Sequence, residues 1–438
     1  MRDLESVTAP KGQKPAGWRR LCYDLQWQPY PDGPAIQDVK TETPRTPKRI
    51  IIIARANSPF QQEAAKELKT LLPKAFGASA PDSIPIDIVN LGHPIVIVDE
   101  SVPTLSGAFT IFLPELDMAP FLATIDKQGW DCLKRLATSD RLLWLTRFGP
   151  QKDPAYEVVF GVSRAIRTDQ PELQWNTLAI DKLDDGASAL ARNIIKVIQD
   201  PTGEDEFALK DGELLIPRLV ESDYFNDYLA SRLEWSQNMT SPQLKAQNGR
   251  SWEFNPQASY VLAGGLGGVG KALALWMAQR GARNIIFLSR SGGDASPETR
   301  ALISELQEKH GCTVAAPRCD IGNEEQLSTV LSDLAKEMPP VKGCLQAAMV
   351  ARLSPFADLS FDDYIAATPC KIEGSMNLHN LLPDDMNFFL MLSSASSIIG
   401  LPTQTSYCAG CAYQDGLAHW RVSRGQKATA INLGLIVD

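Results

Sequence analysis

Residues 260–281 read YVLAGGLGGVGKALALWMAQRG, and this stretch decides the fold of the second half of the chain. A short apolar run leads into a glycine-rich loop, and the loop leads into a segment whose apolar residues recur at helical spacing. A strand, a glycine loop and a helix in this order are typical of the first unit of a doubly wound parallel sheet. Further apolar strands are predicted at 284–289, 313–318, 341–347, 387–392 and 429–433, with helix-like segments between them.

The glycine loop predicts a binding site for the phosphates of a nucleotide. Glycines let the backbone turn tightly and approach a pyrophosphate, whose charge is then held by free N–H groups and by the positive end of the following helix. A flexible glycine turn without a ligand can imitate this pattern, but the flanking strand and helix favour the nucleotide site. The candidate cofactor-binding residues of the loop are Gly264, Gly265, Leu266, Gly267, Gly268, Val269 and Gly270.

The end of the next predicted strand indicates which dinucleotide would bind. NAD-selective sheets usually carry an acidic residue at this point, whereas this chain has Ser289, Arg290 and Ser291. A guanidinium favours a 2′-phosphate through its charge and through bidentate hydrogen bonding. NADPH is therefore the predicted cofactor, and the alternative is an arginine that is simply solvated at a strand end.

The first half shows the same alternation of strands and helices without the glycines. Strands are predicted at 50–53, 95–98, 141–146 and 174–180, and helices near 59–72, 114–136, 155–168 and 186–199. The first strand-to-helix turn, residues 54–58, reads ARANS and contains no glycine. The sequence therefore predicts two Rossmann-like α/β sheets, of which the first is degenerate and lacks a cofactor site.

Composition shifts predict the domain boundaries. Residues 1–48 are rich in proline and are interpreted as a lead-in linker that lies against a domain. Residues 49–250 are assigned to the structural Rossmann-like subdomain, and residues 251–438 to the NADP-binding catalytic subdomain. Residues 200–257 are irregular and polar, which is typical of a connecting region.

Charge and hydropathy exclude several classes of protein. The 438 residues contain 43 Lys and Arg against 52 Asp and Glu, a net charge of −9, which argues against nucleic acid as a partner. No apolar run approaches the roughly 20 residues that a membrane span needs. No secretory signal is recognisable, so we expect a cytoplasmic protein whose eight cysteines are reduced.

Three residues in the second half form a candidate catalytic group. Reduction of a carbonyl needs a proton donor for its oxygen, and a phenol serves if a nearby cation and hydroxyl lower its pKa and fix its position. Ser394 ends a predicted strand, Tyr407 starts the next helix, and Lys371 lies on the preceding helix. Each residue alone has a commoner structural explanation, and their weight comes from occurring together behind one nucleotide loop.

The second half resembles the ketoreductase domain of fungal highly reducing polyketide synthases, which belong to the short-chain dehydrogenase/reductase superfamily. The matching stretches are AGGLGGVG (263–270), LSRSG (288–292), CDI (319–321), QAAMV (346–350), CKIEGSMNLH (370–379), LSSASSIIG (392–400) and SYCAGCAYQDGLAHWR (406–421). The resemblance implies that Ser394 orients the substrate carbonyl, that Tyr407 donates the proton and that Lys371 supports the tyrosine. It also implies that Asp320 and Ile321 lie by the adenine and that Ala347 and Ala348 line the cofactor cleft.

The first half resembles the catalytically silent reductase-like subdomain that precedes such ketoreductases. RLCYDLQWQPYP (20–31), FGVSRAIRTDQPELQ (160–174) and DGELLIPRL (211–219) carry this resemblance. For the whole chain it implies NADPH-dependent reduction of a β-keto group. The implied partners are an acyl carrier protein, which bears the phosphopantetheine-linked β-ketoacyl chain, and the other domains of the synthase.

Two departures from the family leave alternatives open. The family usually has an asparagine four residues after the tyrosine as the fourth catalytic residue, and in this chain Cys411, a poor hydrogen-bond partner, takes that place among the candidate catalytic residues. Cys408 and Cys411 also spell CxxC, but no second paired motif supports a metal or redox site, and we expect no metal. The sequence ends directly after the sixth predicted strand, where the family continues, so we expect a C-terminally incomplete domain. A non-catalytic fragment that binds NADPH without turnover, and a free-standing reductase of small carbonyls, are the alternative hypotheses.

Overall fold

The computed structural model describes residues 22–31, 46–77, 84–92, 104–223, 225–226 and 253–436. These residues build two β-sheets of eight and six strands, each flanked by helices. The predicted fold class, two Rossmann-like α/β sheets, is confirmed.

The first sheet has the strand order β1-β8-β7-β6-β5-β4-β2-β3. Strands β2 to β7 run parallel, while β8 pairs antiparallel with both β7 and β1. Its strands are β1 (Tyr23–Pro29), β2 (Ile50–Arg55), β3 (Ile86–Leu91), β4 (Phe109–Phe112), β5 (Arg141–Arg147), β6 (Gln174–Ile180), β7 (Glu206–Lys210) and β8 (Glu213–Glu221).

Helices cover this sheet because its central strands are apolar on both faces. All four isoleucines of residues 50–53 are fully buried, as expected for a parallel strand with a helical layer on each side. The helices are α1 (Pro59–Ala75), α2 (Lys127–Leu136), α3 (Val158–Asp169) and α4 (Ala187–Ile198). The α1 helix starts as the sequence indicates, with the Ser58 side chain accepting from Gln61 N and Pro59 in the first turn.

The second sheet is entirely parallel and has the order β11-β10-β9-β12-β13-β14. Its strands are β9 (Ser259–Ala263), β10 (Asn284–Leu288), β11 (Thr313–Ala315), β12 (Val341–Gln346), β13 (Phe388–Ser394) and β14 (Thr429–Leu433). Its helices are α5 (Gly268–Gln279), α6 (Pro297–Glu308), α7 (Glu324–Glu337), α8 (Phe361–Ala367), α9 (Glu373–Leu381), α10 (Ser396–Ile399) and α11 (Thr405–Ser423). The strand order reverses between β9 and β12, and such switch points are where open α/β sheets bind ligands.

The structure corrects parts of the element prediction in the first half. The region 200–257, interpreted as irregular, contains the β7–β8 hairpin. The lead-in segment contributes β1, which pairs with β8 along its whole length instead of acting only as a linker. Strands β3 and β4 were not predicted, and the strand predicted at 95–98 and the boundary near 250 lie outside the described residues.

The two halves pack through helices α3 and α11. At Gly161 of α3 a β-carbon would overlap the carbonyl oxygen of Cys408, and at Gly416 of α11 a β-carbon would lie 2.6 Å from the Glu157 side chain. The absence of side chains at these two points lets the helix backbones approach closely. The helix whose first turn contains Tyr407 therefore packs directly on the first half.

In the described part of the chain, no helix is both long enough and apolar enough to span a membrane.

Candidate active site

The predicted catalytic residues meet at the carboxyl edge of the second sheet. Ser394 is the last residue of β13, and Tyr407 lies in the first turn of α11. Lys371 lies two residues before α9, and its side chain is buried. The glycine loop between β9 and α5 ends at the same edge, next to the switch point.

The glycine loop has the backbone geometry of a phosphate cradle. Gly264 has a φ of +71°, and a β-carbon there would lie 2.5 Å from the Cα of Ala348. A β-carbon on Gly270 would lie 2.5 Å from the Cα of Gly265, so the loop and the first helical turn fold tightly against each other. Gly267 caps α5 and receives the Lys271 N–H at 2.8 Å, which leaves the N–H groups of the first turn without intrahelical acceptors. These donors fit the pyrophosphate of a dinucleotide.

The end of β10 carries the residues predicted to select the cofactor. Arg290 is exposed, and the Ser289 and Ser291 hydroxyls share a hydrogen bond of 2.9 Å beside it. Arg318, which the sequence analysis did not single out, pairs with Ser289 across the sheet, and its side chain packs on Gly292. Two guanidinium-bearing residues therefore stand at neighbouring strand ends, and the parallel pairing of β10 with β11 is what brings the second one there.

The residues predicted to lie by the adenine are on the loop that follows β11. Asp320 Oδ1 accepts from Gly322 N at 3.0 Å, which shapes the turn. Ile321 is buried beneath Gly374, and its carbonyl accepts from Asn377 Nδ2 at 2.9 Å. Ala347 and Ala348 follow β12 and contact Gly264, so the structure brings them to the cleft as well. Whether these residues contact a cofactor stays a prediction.

Lys371 is held by two acceptors beneath the tyrosine. Its Nζ donates to Leu392 O at 2.8 Å and to Gln414 Oε1 at 2.9 Å, and it lies 5.4 Å from the centre of the Tyr407 ring. Gln414 in turn donates to Ser375 Oγ at 3.1 Å. Gln414 was missed, although its spacing of seven residues from Tyr407 puts both on one face of α11.

Burial raises the pKa of the Tyr407 phenol, contrary to the lowering expected from the sequence. The neighbouring Cys411 thiol raises it further, and the Ser394 hydroxyl acts in the opposite direction. The Ser394 Oγ is itself fixed, because it accepts from Ser396 N at 3.1 Å and shares a hydrogen bond with Ser396 Oγ at 3.0 Å. A phenol with a raised pKa is protonated at neutral pH but releases its proton less readily, so these neighbours alone do not tune Tyr407 toward proton donation.

Cys411 lies within the site and Cys408 lies outside it. The buried Cys411 thiol contacts the Tyr407 phenol and the Ser393 hydroxyl, and burial raises its pKa. The Cys408 thiol donates to Ser396 O at 3.2 Å and also has a pKa raised by burial. All eight cysteines are free thiols, and the described residues include no group of three side chains placed to hold a metal ion. The Cys408 thiol therefore packs against α10, whereas the Cys411 thiol lies beside the Tyr407 phenol, and the expectation that neither binds a metal stays a prediction.

The corresponding edge of the first sheet is filled by the protein's own side chains. Ser58 caps α1, and Gln61 Oε1 accepts from the backbone N–H of Arg55 at 2.9 Å. Gln61 Nε2 reaches Asp117 Oδ1 at 2.5 Å. Side chains thus occupy the helix N-terminus where the second half exposes N–H groups, and the lack of a dinucleotide site in this half stays a prediction.

Comparison with protein families divides the chain as its two sheets do. Residues 258–438 match the family model described as KR domain. Residues 105–220 match the model described as HRPKS sdrA-like, NAD(P)-binding Rossmann-fold domain.

The similar curated proteins are fungal polyketide synthases. The chain is 49% identical over 188 residues to highly reducing polyketide synthase 40 of Fusarium mangiferae, and the match covers 43% of this chain and 8% of that protein. It is 50% identical over 179 residues to highly reducing polyketide synthase tstA of Talaromyces stipitatus, which covers 41% of this chain and 7% of that protein. The matched region is thus less than a tenth of the length of these relatives.

Solved structures of ketoreductases share the fold over nearly the whole chain. The first ketoreductase of the tylosin polyketide synthase aligns with a TM-score of 0.69 at 19% identity, over 97% of this chain and 84% of that chain. The ketoreductase of the first phoslactomycin module of Streptomyces sp. HK803 aligns with a TM-score of 0.65 at 23% identity, over 94% and 81%. The pairing of two sheets is therefore the architecture of a ketoreductase.

Proposed function

The chain belongs to the ketoreductase region of the fungal highly reducing polyketide synthases, and from this premise we propose the reaction that it performs. The reaction is the NADPH-dependent reduction of a β-keto group to a β-hydroxyl group on a polyketide thioester carried by an acyl carrier protein. The single observation that carries the proposal is the convergence of Ser394, Tyr407 and Lys371 at the carboxyl edge that also bears the glycine cradle.

NADPH, when bound, supplies the hydride that forms the new C–H bond at the carbonyl carbon. The Ser394 hydroxyl, fixed by Ser396, orients the carbonyl oxygen of the substrate. The Tyr407 phenol donates the proton to that oxygen as negative charge develops on it. Lys371, whose Nζ donates to the uncharged acceptors Leu392 O and Gln414 Oε1, provides a positive charge that stabilises the tyrosinate left behind.

Several residues would hold the cofactor. The N–H groups at the start of α5 would bind the pyrophosphate, Asp320 with its neighbour Ile321 would lie by the adenine, and Ala347 and Ala348 would line the cofactor cleft. Arg290 favours NADPH over NADH, because a guanidinium pairs with the 2′-phosphate that NADH lacks. Exposure of Arg290 at the end of β10 supports this preference.

The partners follow from the substrate. A thioester-bound chain reaches the site on the phosphopantetheine arm of an acyl carrier protein, within a cytoplasmic synthase that supplies the other domains. We assign residues 49–250 to a structural subdomain without a cofactor and residues 251–438 to the catalytic subdomain. The filled edge of the first sheet supports this division.

The test is NADPH oxidation by the purified chain with a short β-ketoacyl thioester. Tyr407→Phe removes the proton donor but keeps the ring, so we expect turnover to fall by about 100-fold or more with the dissociation constant for NADPH within twofold of wild type. Turnover is followed by absorbance of NADPH, and binding by its fluorescence.

The outcomes separate the two hypotheses. Wild-type turnover that survives in Tyr407→Phe would contradict the assignment of the proton donor. NADPH binding without any wild-type turnover would support the non-catalytic alternative, which the buried Cys411 beside Tyr407 favours. Cys411→Asn would then show whether the missing amide is responsible.

A further inference from the structure

The end of helix α3, in the half without the glycine loop, contacts two loops that border the active site. Asp169 is the last residue of α3. Its Oδ1 accepts from the backbone N–H of Thr403 at 2.8 Å, and its Oδ2 accepts from the backbone N–H of Phe356 at 2.9 Å. One carboxylate therefore ties together two segments of the other half that are far apart in sequence.

Both segments connect directly to the reacting groups. Thr403 lies between α10 and α11, four residues before Tyr407, on the connection that starts at Ser394. Phe356 lies on the loop that follows β12 and begins at Ala347 and Ala348. The two loops also bond to each other, because Ser354 N donates to Thr403 O at 3.0 Å.

The backbone conformation of Thr403 shows that the surrounding structure constrains this loop. Its φ is +67°, in the left-handed region that a β-branched residue rarely adopts. Such a conformation persists only where the surrounding structure imposes it. The hydrogen bonds at Thr403 N and Thr403 O supply that constraint, and in the first of them Thr403 N donates to Asp169.

Other side chains of the first half hold the same region. Lys134 of α2 donates to the carbonyl oxygens of Phe356 and Ala357, the latter at 3.1 Å, and lies 4.3 Å from the centre of the Phe356 ring. The buried Phe356 ring packs edge-on against Trp130 at 5.8 Å. Arg164 of α3 donates to Ser397 O at 2.6 Å, three residues after Ser394.

We propose that Asp169 is a positioning residue for carbonyl reduction, through which the first half sets the relative placement of Ser394 and Tyr407. The inference rests on the proposed ketoreduction. Asp169 approaches the site through backbone groups, so it acts on geometry and not on the chemistry of the proton transfer. A displacement of catalytic groups by about 1 Å is enough to reduce turnover about 100-fold.

Asp169→Asn isolates the carboxylate. The amide keeps one oxygen acceptor but presents an N–H₂ group to the second backbone N–H, so one of the two loops loses its acceptor. We expect kcat with the β-ketoacyl thioester to fall about 10- to 100-fold. The dissociation constant for NADPH should stay within twofold, because the glycine cradle and Arg290 are not bonded to Asp169. Glu172→Gln is the matched control, since Glu172 is an exposed carboxylate three residues away.

Hydrogen exchange gives a readout that does not depend on turnover. In Asp169→Asn the amides of 353–358 and 398–404 should exchange faster than in wild type, while those of 264–270 are unchanged. Lys134→Met should accelerate exchange only in 353–358, and it provides a folded second variant if Asp169→Asn does not fold.

The outcomes are distinguishable. Unchanged kcat in a folded Asp169→Asn variant with an active wild type would overturn the positioning role and leave the ketoreductase proposal intact. Unchanged exchange in both loops would overturn it as well. A wild type that binds NADPH and reduces nothing would instead overturn the proposed function. Faster exchange in Asp169→Asn would still show that Asp169 holds the two loops.

Discussion

At the scale of single residues, the proposed preference for NADPH over NADH rests on positive charge at the ends of β10 and β11. Arg290 is free to pair with an added phosphate, since it is exposed, and Arg318 stands beside it through the Ser289 bridge. A bidentate guanidinium–phosphate interaction contributes roughly 1.5–3 kcal/mol when the anion is held in place. NADH offers a hydroxyl at the same position and gains little from the pair.

Arg290→Ala should therefore weaken NADPH binding about 10-fold or more and leave NADH binding within about twofold. Titration of both cofactors against the intrinsic fluorescence of the protein measures the two dissociation constants. Arg192→Ala, an exposed arginine on α4, serves as the control for a change in net charge. Equal weakening of both cofactors would show that Arg290 does not read the 2′ position.

The meeting of the candidate catalytic residues at one sheet edge could be predicted from the sequence, whereas their immediate partners could not. Ser394, Tyr407 and Lys371 were recognisable because of their residue types and their order behind a glycine loop. The acceptors of Lys371 are Leu392 O, on β13, and Gln414, on α11. These partners are set by how α11 packs across β13, which is a tertiary property that no local pattern carries.

At the scale of elements, the crossing of α3 and α11 places the Tyr407 helix. At the closest point of this crossing Gly161 has no side chain, and the backbone carbonyl of Cys408 lies against the glycine. Cys408 follows Tyr407 directly, so the separation of these helices and the position of the phenol are coupled.

Gly161→Ala should push the two helices apart. Overpacking a close contact costs about 1–3 kcal/mol in the free energy of unfolding, and the shift of α11 should lower kcat together with stability. Denaturant unfolding and turnover measure the two effects. Gly92→Ala is the control, because a β-carbon there has no neighbour within 4 Å. Full stability and activity in Gly161→Ala would contradict the tight crossing.

Two of the strands that prediction missed, β1 and β8, depend on tertiary partners. In the second sheet, β9 and β10 are largely apolar runs that are buried throughout, and their signal is local. In the first sheet, β8 carries Pro217 and alternates with polar residues, and β1 lies in a proline-rich segment. These two strands pair with each other at the edge of the sheet. Because the paired residues are far apart in the chain, neither strand carries a local sequence pattern that predicts the pairing.

At the scale of the whole molecule, buried charges join the two halves. Burial alone would raise the pKa of Glu206, but Arg164 and Arg167 donate to both of its oxygens and hold that pKa below its ordinary value. Glu157 has no such pairing, because the Arg164 guanidinium is committed to Glu206 and to Ser397 O. Burial, with Asp415 and Glu206 nearby, raises the pKa of Glu157 to about 7, although Arg164 opposes the shift.

Because Glu157 has no ion pair among the described residues, the stability of the folded protein should depend on pH. The carboxyl has an ordinary pKa of 4.5 when unfolded and about 7 when folded, so between these values the folded protein binds more protons than the unfolded chain. Its protonation therefore favours the folded state at low pH, and this stabilisation is lost as the pH rises from about 5 to 8. Since Glu157 is partly exposed, we expect a loss of about 1–2 kcal/mol rather than the full value of the shift.

Glu157→Gln should remove this part of the pH dependence, because the amide does not titrate. Between pH 5.5 and 8 the thermal midpoint of the wild type should fall by several degrees more than that of the variant, measured at constant ionic strength. Glu63→Gln on α1, an exposed carboxyl, should follow the wild type. Parallel curves for wild type and Glu157→Gln would show that the carboxyl is ionised in the folded protein at neutral pH. In that case the Arg164 guanidinium would have to interact with the ionised carboxylates of both Glu157 and Glu206. The interface would then carry no unbalanced negative charge.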